Sequence, residues 1–353
     1  MSRYIISGYY GFGNAGDEAI LQAIIDSLQQ QDPQAEITVF SAQPHQTTAE
    51  HKVKAVHRTS LRDVLKAFRN ADLFISGGGG LLQDATSSRS LLYYLGLLTL
   101  ARWSGCRTMV YANSIGPIKE PRNKKLARYV LERVDYITVR DEPSLQLLQD
   151  LGVRKPPIKL TADPVLLLEL APQPPKEKTI VVAVRQWPSQ HNYLQQMTLA
   201  CRRLVQEGFT ILLIPFHYGR DLAVSEELAQ AIGPGACCLA QPPDFSQLLT
   251  QLSQAEVVVA MRLHALIMGA VCKRPLVGIS YDPKVDGFLQ SVGQPLAGTT
   301  DALQAERLYQ LVLDAYQRRA EIKQDLAVSL QELRNLAAEN AIIAHNLAAG
   351  KIG

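Results

Sequence analysis

The sequence predicts an α/β protein with two doubly wound, Rossmann-like domains and a helical C-terminal tail. Short apolar runs alternate with helix-length segments, a pattern typical of parallel sheets that are covered on both faces. A proline-rich stretch at 171–178 interrupts this alternation, which then starts again. The segment 301–353 contains no proline and shows a helical pattern throughout. We therefore expect domains at 1–170 and 179–300, a linker at 171–178 and a tail at 301–353.

Ten apolar runs are predicted to be strands. Those of the first domain are Tyr4–Ser7, Ile37–Ser41, Leu73–Ser76, Thr108–Ala112 and Tyr136–Val139. Those of the second domain are Thr179–Val184, Thr210–Pro215, Cys237–Leu239, Glu256–Ala260 and Leu276–Ser280. Two such domains that face each other across a cleft form the GT-B architecture, which does not by itself fix a function.

Composition excludes several classes of protein. The net charge of the 353-residue chain is only +3, so charge does not indicate nucleic-acid binding. The five cysteines are odd in number and form no C-x-x-C pair, which argues against a disulfide framework or a zinc site. The N-terminus lacks the layout of a signal peptide, so we expect a cytoplasmic protein.

The most apolar stretch, at 91–101, is shorter than the roughly 20 residues that a membrane span needs. We expect it to be a buried helix. Basic residues follow this stretch, and they suit either a solvated face or transient contact with the inner face of the membrane. They are Arg102, Arg107, Lys119, Arg122, Lys124, Lys125 and Arg128.

The segment at 11–16 satisfies the G-x-G-x-x-G pattern between a predicted strand and a predicted helix. A dinucleotide site also needs an acidic residue at the end of the second strand, but that strand ends in Ser41-Ala42-Gln43. Asp17 and Glu18 would also repel a pyrophosphate. A dinucleotide site is therefore disfavoured relative to two other interpretations: a turn that lets the helix pack on the sheet, or a small-ligand site that uses Asn14 and Asp17.

Other polar and glycine-rich segments follow predicted strands. The glycines at 77–80 and the turn at 113–117 are expected at the same sheet edge as Asn14 and Asp17, where ligands of open α/β sheets bind. Four aspartates are expected in loops at such ends, where they suit sugar hydroxyls, base catalysis or a purely structural role. They are Asp17, Asp84, Asp163 and Asp282.

Basic residues also follow strands, and together they predict a site for a small, highly charged anion. Each has a structural alternative, such as pairing of Arg140 with Asp141 or Glu142. Arginine offers a planar fork for phosphate or carboxylate, and histidine exchanges protons near neutral pH. The set is Arg140, Arg185, His217, Arg262 and His264.

An ordered set of motifs resembles the polysaccharide pyruvyl transferase family, and most closely its CsaB-type bacterial members. The resemblance extends to about residue 290, and Gln186 departs from it where proline is common. The motifs are GYYGFGNAGDEAIL (8–21), ISGGGGLLQD (75–84), YANSIGP (111–117), TVRDEPS (138–144), TADPV (161–165), VAVRQW (182–187), MRLHALI (261–267) and GISYDPKV (278–285).

The resemblance implies transfer of pyruvate from phosphoenolpyruvate onto a sugar as a cyclic ketal, with release of phosphate. It implies roles in donor binding and catalysis for four residues: we expect His264 and Arg140 to be catalytic, and Arg262 and Leu263 to bind the donor. Asp17 is a separate hypothesis, for acceptor binding or base catalysis. The acceptor is expected to be a lipid-linked wall-polymer precursor that contains N-acetylmannosamine, and no metal or cofactor is expected. Further substrate-binding residues are expected to be Asn14, Gly78, Gly79, Ser114, Arg185 and His217.

Two alternatives remain at this point. The first is a glycosyltransferase or epimerase of GT-B architecture that uses a nucleotide sugar, for which Asp282 and Asp286 are candidate ribose ligands. The second is a non-enzymatic module that binds an acidic saccharide through the strand-end arginines and has no need of His264 as a proton donor.

Overall fold

The computed structural model describes residues 1–85, 87–169, 174–243 and 245–352. Contacts divide the chain into two compact units. The first unit comprises Met1–Leu167 and Leu333–Gly353, and the second unit comprises Leu168–Glu332. The predicted linker at 171–178 lies partly outside the described residues, which resume at residue 174.

A parallel sheet forms the centre of the first unit. Its strands are β1 (Arg3–Ser7), β2 (Glu36–Ser41), β3 (Lys54–His57), β4 (Leu73–Ser76), β5 (Arg107–Asn113), β6 (Tyr136–Val139) and β7 (Ile158–Leu160). They lie in the order β3-β2-β1-β4-β5-β6-β7. The direction of strand succession therefore reverses between β1 and β4, which pair in parallel from Tyr4 with Leu73 to Ser7 with Ser76.

Helices cover this first sheet. They are α1 (Ala15–Gln31), α2 (Pro44–His51), α3 (Leu61–Phe68), α4 (Ser88–Trp103), α5 (Pro121–Leu131) and α6 (Glu142–Asp150), with a short 3₁₀ helix at Pro164–Leu167. Buried aromatic residues fix part of the packing: the ring of Phe68 meets Phe40 at 5.6 Å and Phe74 at 5.3 Å, edge to face in both cases.

The second unit repeats the plan. Its strands are β8 (Thr179–Ala183), β9 (Thr210–Leu213), β10 (Ala236–Cys238), β11 (Val257–Ala260), β12 (Leu276–Ser280) and β13 (Leu296–Thr299), in the order β10-β9-β8-β11-β12-β13. Its helices are α7 (Tyr193–Gln206), α8 (Tyr218–Ile232), α9 (Phe245–Ser253), α10 (Leu263–Val271), α11 (Pro283–Ser291) and α12 (Ala305–Gln317). Succession here reverses between β8 and β11, whose residues are almost wholly buried.

The predicted α/β class, with parallel sheets and a helical tail, is confirmed. The tail consists of α12 and a long final helix, α13 (Arg319–Ala348), so Arg318 interrupts the continuous helix that the pattern predicts. All ten predicted strands are present. The three strands that were not predicted, β3, β7 and β13, lie at sheet edges and are only half-buried, so they lack a continuous apolar run.

Candidate functional site

The second sheet places two arginines at the ends of neighbouring strands. Arg185 follows β8 and Arg262 follows β11, and these strands pair in register from Val257 with Ile180 to Ala260 with Ala183. The hydrogen bond from the Met261 N–H to the Ala183 carbonyl, at 2.9 Å, extends the pairing by one residue. Ligands of open α/β sheets bind at such a reversal of strand order, so this edge is a candidate anion site.

The guanidinium of Arg262 is held by the buried carboxylate of Asp221. Arg262 Nε donates to Asp221 Oδ2 at 2.8 Å, and Arg262 Nη2 donates to Asp221 Oδ1. Asp221 lies in the first turn of α8 with 1% of its surface exposed, and it also accepts the backbone N–H of His217 at 2.9 Å. This aspartate therefore fixes Arg262 and the start of α8 together, and uses two of the five guanidinium donors.

His217 lies at the beginning of α8 and is largely buried. Burial lowers the pKa of its imidazole, and the positive charges of Arg220 and Arg262 lower that pKa further. The ring is therefore neutral at neutral pH in the absence of an anion. A bound phosphate would oppose both effects and favour the protonated ring.

Arg185 differs from Arg262 in how its charge is balanced. Its guanidinium carbon lies 4.8 Å from the ring centroid of Trp187 and 4.5 Å from that of Tyr281. Its Nε is buried and has no hydrogen-bond partner among the described residues. Aromatic faces attract a guanidinium without cancelling its charge, so Arg185 keeps the capacity to bind an anion.

Leu263 and His264 form the start of α10, directly after Arg262, and both are half-buried. The first turn of a helix presents backbone N–H groups, which favour anions. The structure thus brings Arg185, Arg262, Leu263 and His264 to the ends of two adjacent strands, and places His217 at the end of β9, the next strand beyond β8.

The glycine-rich loop of the first unit leads directly into α1, which begins at Ala15. Asn14 caps α1 by accepting the N–H of Gly16 at 3.1 Å, and Glu18 accepts the N–H of Gly11 at 2.8 Å. The expectation that Asp17 lies in a loop is wrong: it lies in the first turn of α1 and is 8% exposed. The capping asparagine explains the difference, because it starts the helix before the apolar periodicity begins.

Gly78 and Gly79 leave room for α1 to approach β4. A Cβ on Gly79 would lie 3.0 Å from Asp17 Oδ1, and one on Gly78 would lie 2.9 Å from the side chain of Ile20. Gly79 also adopts φ +94°, which favours glycine. The close approach places the Asp17 carboxylate beside the loop that follows β4.

Ser114 joins the same edge from β5. Its N–H donates to the Gly79 carbonyl at 2.9 Å, and its hydroxyl donates to Asp141. Asp141 in turn caps α6 by accepting the N–H of Ser144 at 3.0 Å. The structure therefore brings Asp17, Gly79 and Ser114 together at the carboxyl edge of the first sheet, as predicted for these loops.

Arg140 pairs with Asp163, which lies 23 residues further along the chain. The two side chains are 7% and 6% exposed, and Arg140 Nη1 donates to Asp163 Oδ2. Asp163 follows the unpredicted strand β7 and also accepts the N–H of Val165 at 3.0 Å. The structure therefore gives Arg140 a distant partner that the sequence did not indicate, while α6 uses Asp141 as its cap.

The two remaining candidate aspartates, Asp84 and Asp282, accept hydrogen bonds from backbone N–H groups. Asp84 accepts the N–H groups of Lys119 at 2.7 Å and Glu120 at 3.0 Å. Asp282 caps α11 by accepting the N–H of Lys284 at 3.1 Å. These contacts give both aspartates a structural role.

Sequence reasoning missed Asp221 and Tyr281 as parts of the site. Tyr281 lies within the GISYDPKV motif, which offered a clue. The clue for Asp221 was its position four residues after His217, the spacing of neighbours on one helix face. Its partner Arg262 is 41 residues away, a distance that the sequence pattern does not reveal.

One group of side chains has the spacing of a metal site within the described residues. Ligand atoms of Glu18, Glu50 and His51 lie within 4.8 Å of one another. Glu18 already accepts the N–H of Gly11, and His51 Nδ1 lies 2.8 Å from the amide oxygen of Gln22. Glu18 therefore contacts both the glycine-rich loop and His51 of α2, which gives the cluster a structural role.

A model of the polysaccharide pyruvyl transferase family matches residues 14–283 of this chain. The chain belongs to the polysaccharide pyruvyl transferase family. The match includes the strand-end residues of both units, from Asn14 to Asp282. A curated relative is the amylovoran biosynthesis protein AmsJ of Erwinia amylovora, which is 20% identical, with 95% of this chain and 97% of that protein covered.

Solved structures show that this family member has a GT-B-like fold. MnaA of S. aureus, solved with UDP, superimposes with a TM-score of 0.69 at 10% identity, covering 100% of this chain and 98% of MnaA. Alr3699/HepE of Anabaena, solved with UDP and glucose, gives 0.66 at 14% identity, covering 99% and 100%. No helix among the described residues combines the length and apolarity needed to cross a bilayer.

Proposed function

We propose that this transferase moves pyruvate from phosphoenolpyruvate onto two hydroxyls of one sugar in a polysaccharide precursor. The observation that carries the donor assignment is the pair of arginines at neighbouring strand ends, Arg185 and Arg262. Phosphoenolpyruvate carries a phosphate and a carboxylate, and guanidinium groups bind both. The family membership supports pyruvate as the transferred group.

The two arginines suit different halves of the donor. Arg185 lies against two aromatic rings and pairs with no carboxylate of the described residues, which favours the more highly charged phosphate. Arg262 is partly neutralised and oriented by Asp221, which favours the carboxylate through its remaining N–H donors. His217 would gain a proton as the phosphate binds, because the anion offsets the effects that lower the pKa of the histidine.

The proposed reaction conserves atoms and charge. His264 gives a proton to C3 of phosphoenolpyruvate, and the first sugar hydroxyl attacks C2 while losing its proton. The bond from C2 to the phosphate oxygen then breaks, and the second hydroxyl attacks C2 as its proton departs. One of the two hydroxyl protons leaves with hydrogen phosphate and the other restores His264, so that no redox partner is required.

The carboxyl edge of the first sheet is the proposed acceptor site. Asp17 supplies a carboxylate beside the loop of Gly78 and Gly79, and Ser114 and Asn14 flank it. Asp17 is suited to hold a proton from a sugar hydroxyl transiently, before that proton leaves with hydrogen phosphate. The catalytic role of Arg140 stays a prediction, because its pairing with Asp163 in this unit is compatible with a positioning role as well.

The acceptor is proposed to be lipid-linked and to contain N-acetylmannosamine, with the protein acting in the cytoplasm at the inner membrane face. The alternative is a glycosyltransferase or epimerase that uses a nucleotide sugar. The UDP in the two similar structures motivates this alternative, although likeness at 10% and 14% identity shows the fold alone.

A ligand-binding experiment separates these functions. Thermal unfolding of the purified chain is measured with phosphoenolpyruvate, with UDP-N-acetylglucosamine and with UDP-glucose. A ligand at about 100 times its Kd stabilises by about 2.7 kcal/mol. We expect stabilisation by phosphoenolpyruvate that Arg185→Gln removes and Arg318→Gln retains, because Arg318 lies in the same unit but in exposed pairs with Asp314 and Glu321.

Stabilisation by a UDP-sugar without an effect of phosphoenolpyruvate would favour the alternative. The second step measures phosphate release from phosphoenolpyruvate in the presence of a synthetic N-acetylmannosaminyl acceptor. Release that depends on the acceptor, together with a gain of one pyruvate ketal in the product by mass spectrometry, is the expected result. Loss of phosphate without ketal would contradict the transfer step.

A further inference from the structure

Two helices of the first unit expose large apolar side chains on one side. On α4, Leu92 is 45% exposed and Trp103 is 82% exposed, which makes Trp103 the most exposed large hydrophobic residue among those described. On α5, Leu126 is 38% exposed and Tyr129 is 57% exposed. Exposed aromatic and aliphatic side chains that are grouped in this way mark a surface that binds a partner.

The spacing places these side chains on one face, which we name the α4–α5 face. On α4, Arg89, Leu92, Gly96, Thr99 and Trp103 follow one another at intervals of three or four residues. On α5 and just beyond it, Arg122, Leu126, Tyr129 and Arg133 do the same. Residues at such intervals share a helix face, and the two helices pack against each other.

A groove of about 190 Å³ runs between the two helices on this side. Trp103 and Tyr129 line it, with the guanidinium-bearing side chains of Arg102 and Arg133. Arg133 stacks over the Tyr129 ring at 3.7 Å and donates to the Tyr129 carbonyl, while Arg102 donates to the Arg133 carbonyl at 2.7 Å. The aromatic rings and arginines therefore form one continuous surface.

The charged side chains of α4 and α5 are all of one sign. Helices α4 and α5 contain six lysines and arginines and no aspartate or glutamate: Arg89, Arg102, Arg122, Lys124, Lys125 and Arg128. The net charge of the whole chain is only +3, so the rest of the chain carries a net negative charge. Carboxylates lie at the ends of these helices: Asp84 accepts from Asn123 at 2.9 Å, Glu120 and Glu132 flank α5, and Asp135 is 3.9 Å from Arg102.

We propose that the α4–α5 face binds the surface of an anionic lipid bilayer. Trp103 and Tyr129 are of the residue types that enter the headgroup region, and the cations on both helices attract lipid phosphates. The combination supplies both the apolar and the electrostatic contribution that reversible membrane binding requires. This binding is a property of the first unit and does not depend on the reaction proposed above.

Other occupants fit the face less well. A second copy of the chain in a two-fold arrangement would bring the same cations together, which is unfavourable. Nucleic acid could contact the cations and the aromatic rings. The exposed side chains of Leu92 and Leu126, however, are stabilised by burial in an apolar environment, which nucleic acid does not supply. The bilayer is the occupant that uses all these features.

The experiment measures co-sedimentation of the full chain with vesicles of phosphatidylcholine alone and with 30% phosphatidylglycerol. Fluorescence reports the same event, because Trp103 and Trp187 are the two tryptophans and Trp187→Phe leaves Trp103 as the reporter. We expect binding to anionic vesicles with a blue shift of Trp103, and weakening as salt rises from 0.05 to 0.5 M, which shortens the screening length.

Matched variants locate the surface. Arg122→Gln with Lys125→Gln should weaken the partition about 25-fold, since each cation near an anionic surface contributes about five-fold. Arg62→Gln with Lys66→Gln removes the same charge from α3 and should have little effect. Trp103→Ala should weaken binding, whereas Leu61→Ala, at a residue that is 64% exposed on α3, should not.

Three results would overturn the proposal. One is the absence of binding to anionic vesicles at 0.05 M salt. Another is equal binding by the α5 double variant and its α3 control. The third is a concentration-dependent dimer, in sedimentation velocity, that Trp103→Ala abolishes, because it would assign the face to a second copy. Turnover with a water-soluble acceptor should be unchanged in Trp103→Ala, so this test and that of the proposed function fail independently.

Discussion

Asp221 and Arg262 form a two-point hydrogen-bonded ion pair that joins the first turn of α8 to the start of α10. The carboxylate is 1% exposed and the arginine side chain is 15% exposed, so neither group exchanges its partner for water easily. The same carboxylate accepts the backbone N–H of His217. One aspartate thus sets the position of two of the basic residues proposed to bind the donor.

Replacement of Asp221 by asparagine should destabilise the protein by about 3 kcal/mol, because it leaves a largely buried guanidinium without its counter-charge. Chemical denaturation followed by circular dichroism measures the change. The control is Asp314→Asn, which breaks an exposed pair with Arg318 and should change stability by less than about 1 kcal/mol. Equal changes in the free energy of unfolding for the two substitutions would show that the buried Asp221 pair stabilises the protein no more than an exposed pair does.

Arg185→Lys should weaken phosphoenolpyruvate binding although the charge is kept. The guanidinium of Arg185 lies against the rings of Trp187 and Tyr281, whereas an ammonium group has no plane to stack. A cation–π interaction usually contributes about 0.5–1 kcal/mol, so we expect the Kd for phosphoenolpyruvate to rise several-fold when the stacking is lost. Titration calorimetry compares the Kd for phosphoenolpyruvate in Arg185→Lys with that in the control Arg318→Lys. An unchanged Kd in Arg185→Lys would show that the aromatic rings do not contribute to binding.

Phosphoenolpyruvate binding should be accompanied by proton uptake at His217. The pKa of this histidine in the folded protein is below its ordinary value, so the ring is neutral at pH 7.5 and becomes charged only when an anion binds beside it. Calorimetry in two buffers of different ionisation enthalpy counts the protons. Since the ligand phosphate also titrates, the proton count of His217→Gln is subtracted; identical counts would place the phosphate away from His217.

The same shift predicts how stability depends on pH. Because the folded protein holds His217 neutral, the unfolded chain binds this proton more readily, and stability falls as pH drops through the ordinary histidine range near 6.5 toward the lower folded value. His217→Gln should lessen this fall. Unfolding midpoints from pH 7.5 to 5 in wild type and variant measure it, and parallel curves would contradict the prediction.

A test of whether Arg140 is catalytic must avoid leaving its partner Asp163 as an unpaired buried charge. Arg140→Ala alone leaves the buried Asp163 carboxylate without this partner, at a cost of about 3–5 kcal/mol. The double variant Arg140→Gln with Asp163→Asn removes both charges and keeps hydrogen-bonding groups. If Arg140 is catalytic, the double variant should fold and lose phosphate release; full turnover in a folded double variant would assign the pair a structural role.

Gly79→Ala should destabilise the first unit by about 1–3 kcal/mol. Its φ of +94° is unfavourable for alanine, and the new Cβ would lie 3.0 Å from Asp17 Oδ1. The control is Gly96→Ala within α4, where a Cβ meets no atom within 4 Å and alanine is the better helix former by about 1 kcal/mol. Opposite signs in denaturation experiments are expected, and a neutral Gly79→Ala would mean that α1 can withdraw from β4.

Local sequence determined the central strands and the loops that follow them. Buried parallel strands need continuous apolar runs, so β4, β6 and β12 are predicted with the bounds that the structure shows. Because the carboxyl ends of parallel strands lie at one edge, the pattern also places Arg185, Arg262 and His264 there. The ordered motifs led to the family that the comparisons show.

Tertiary structure alone decided which charges are balanced. Arg140 and Arg262 look alike in sequence to Arg185, but the first two meet Asp163 and Asp221, which are 23 and 41 residues away along the chain. Half-buried edge strands such as β7 carry too little apolar pattern to be predicted, and β7 is what brings Asp163 beside Arg140. Periodicity reports the environment of each residue along its own element, whereas partner choice depends on contacts between elements that are distant in sequence.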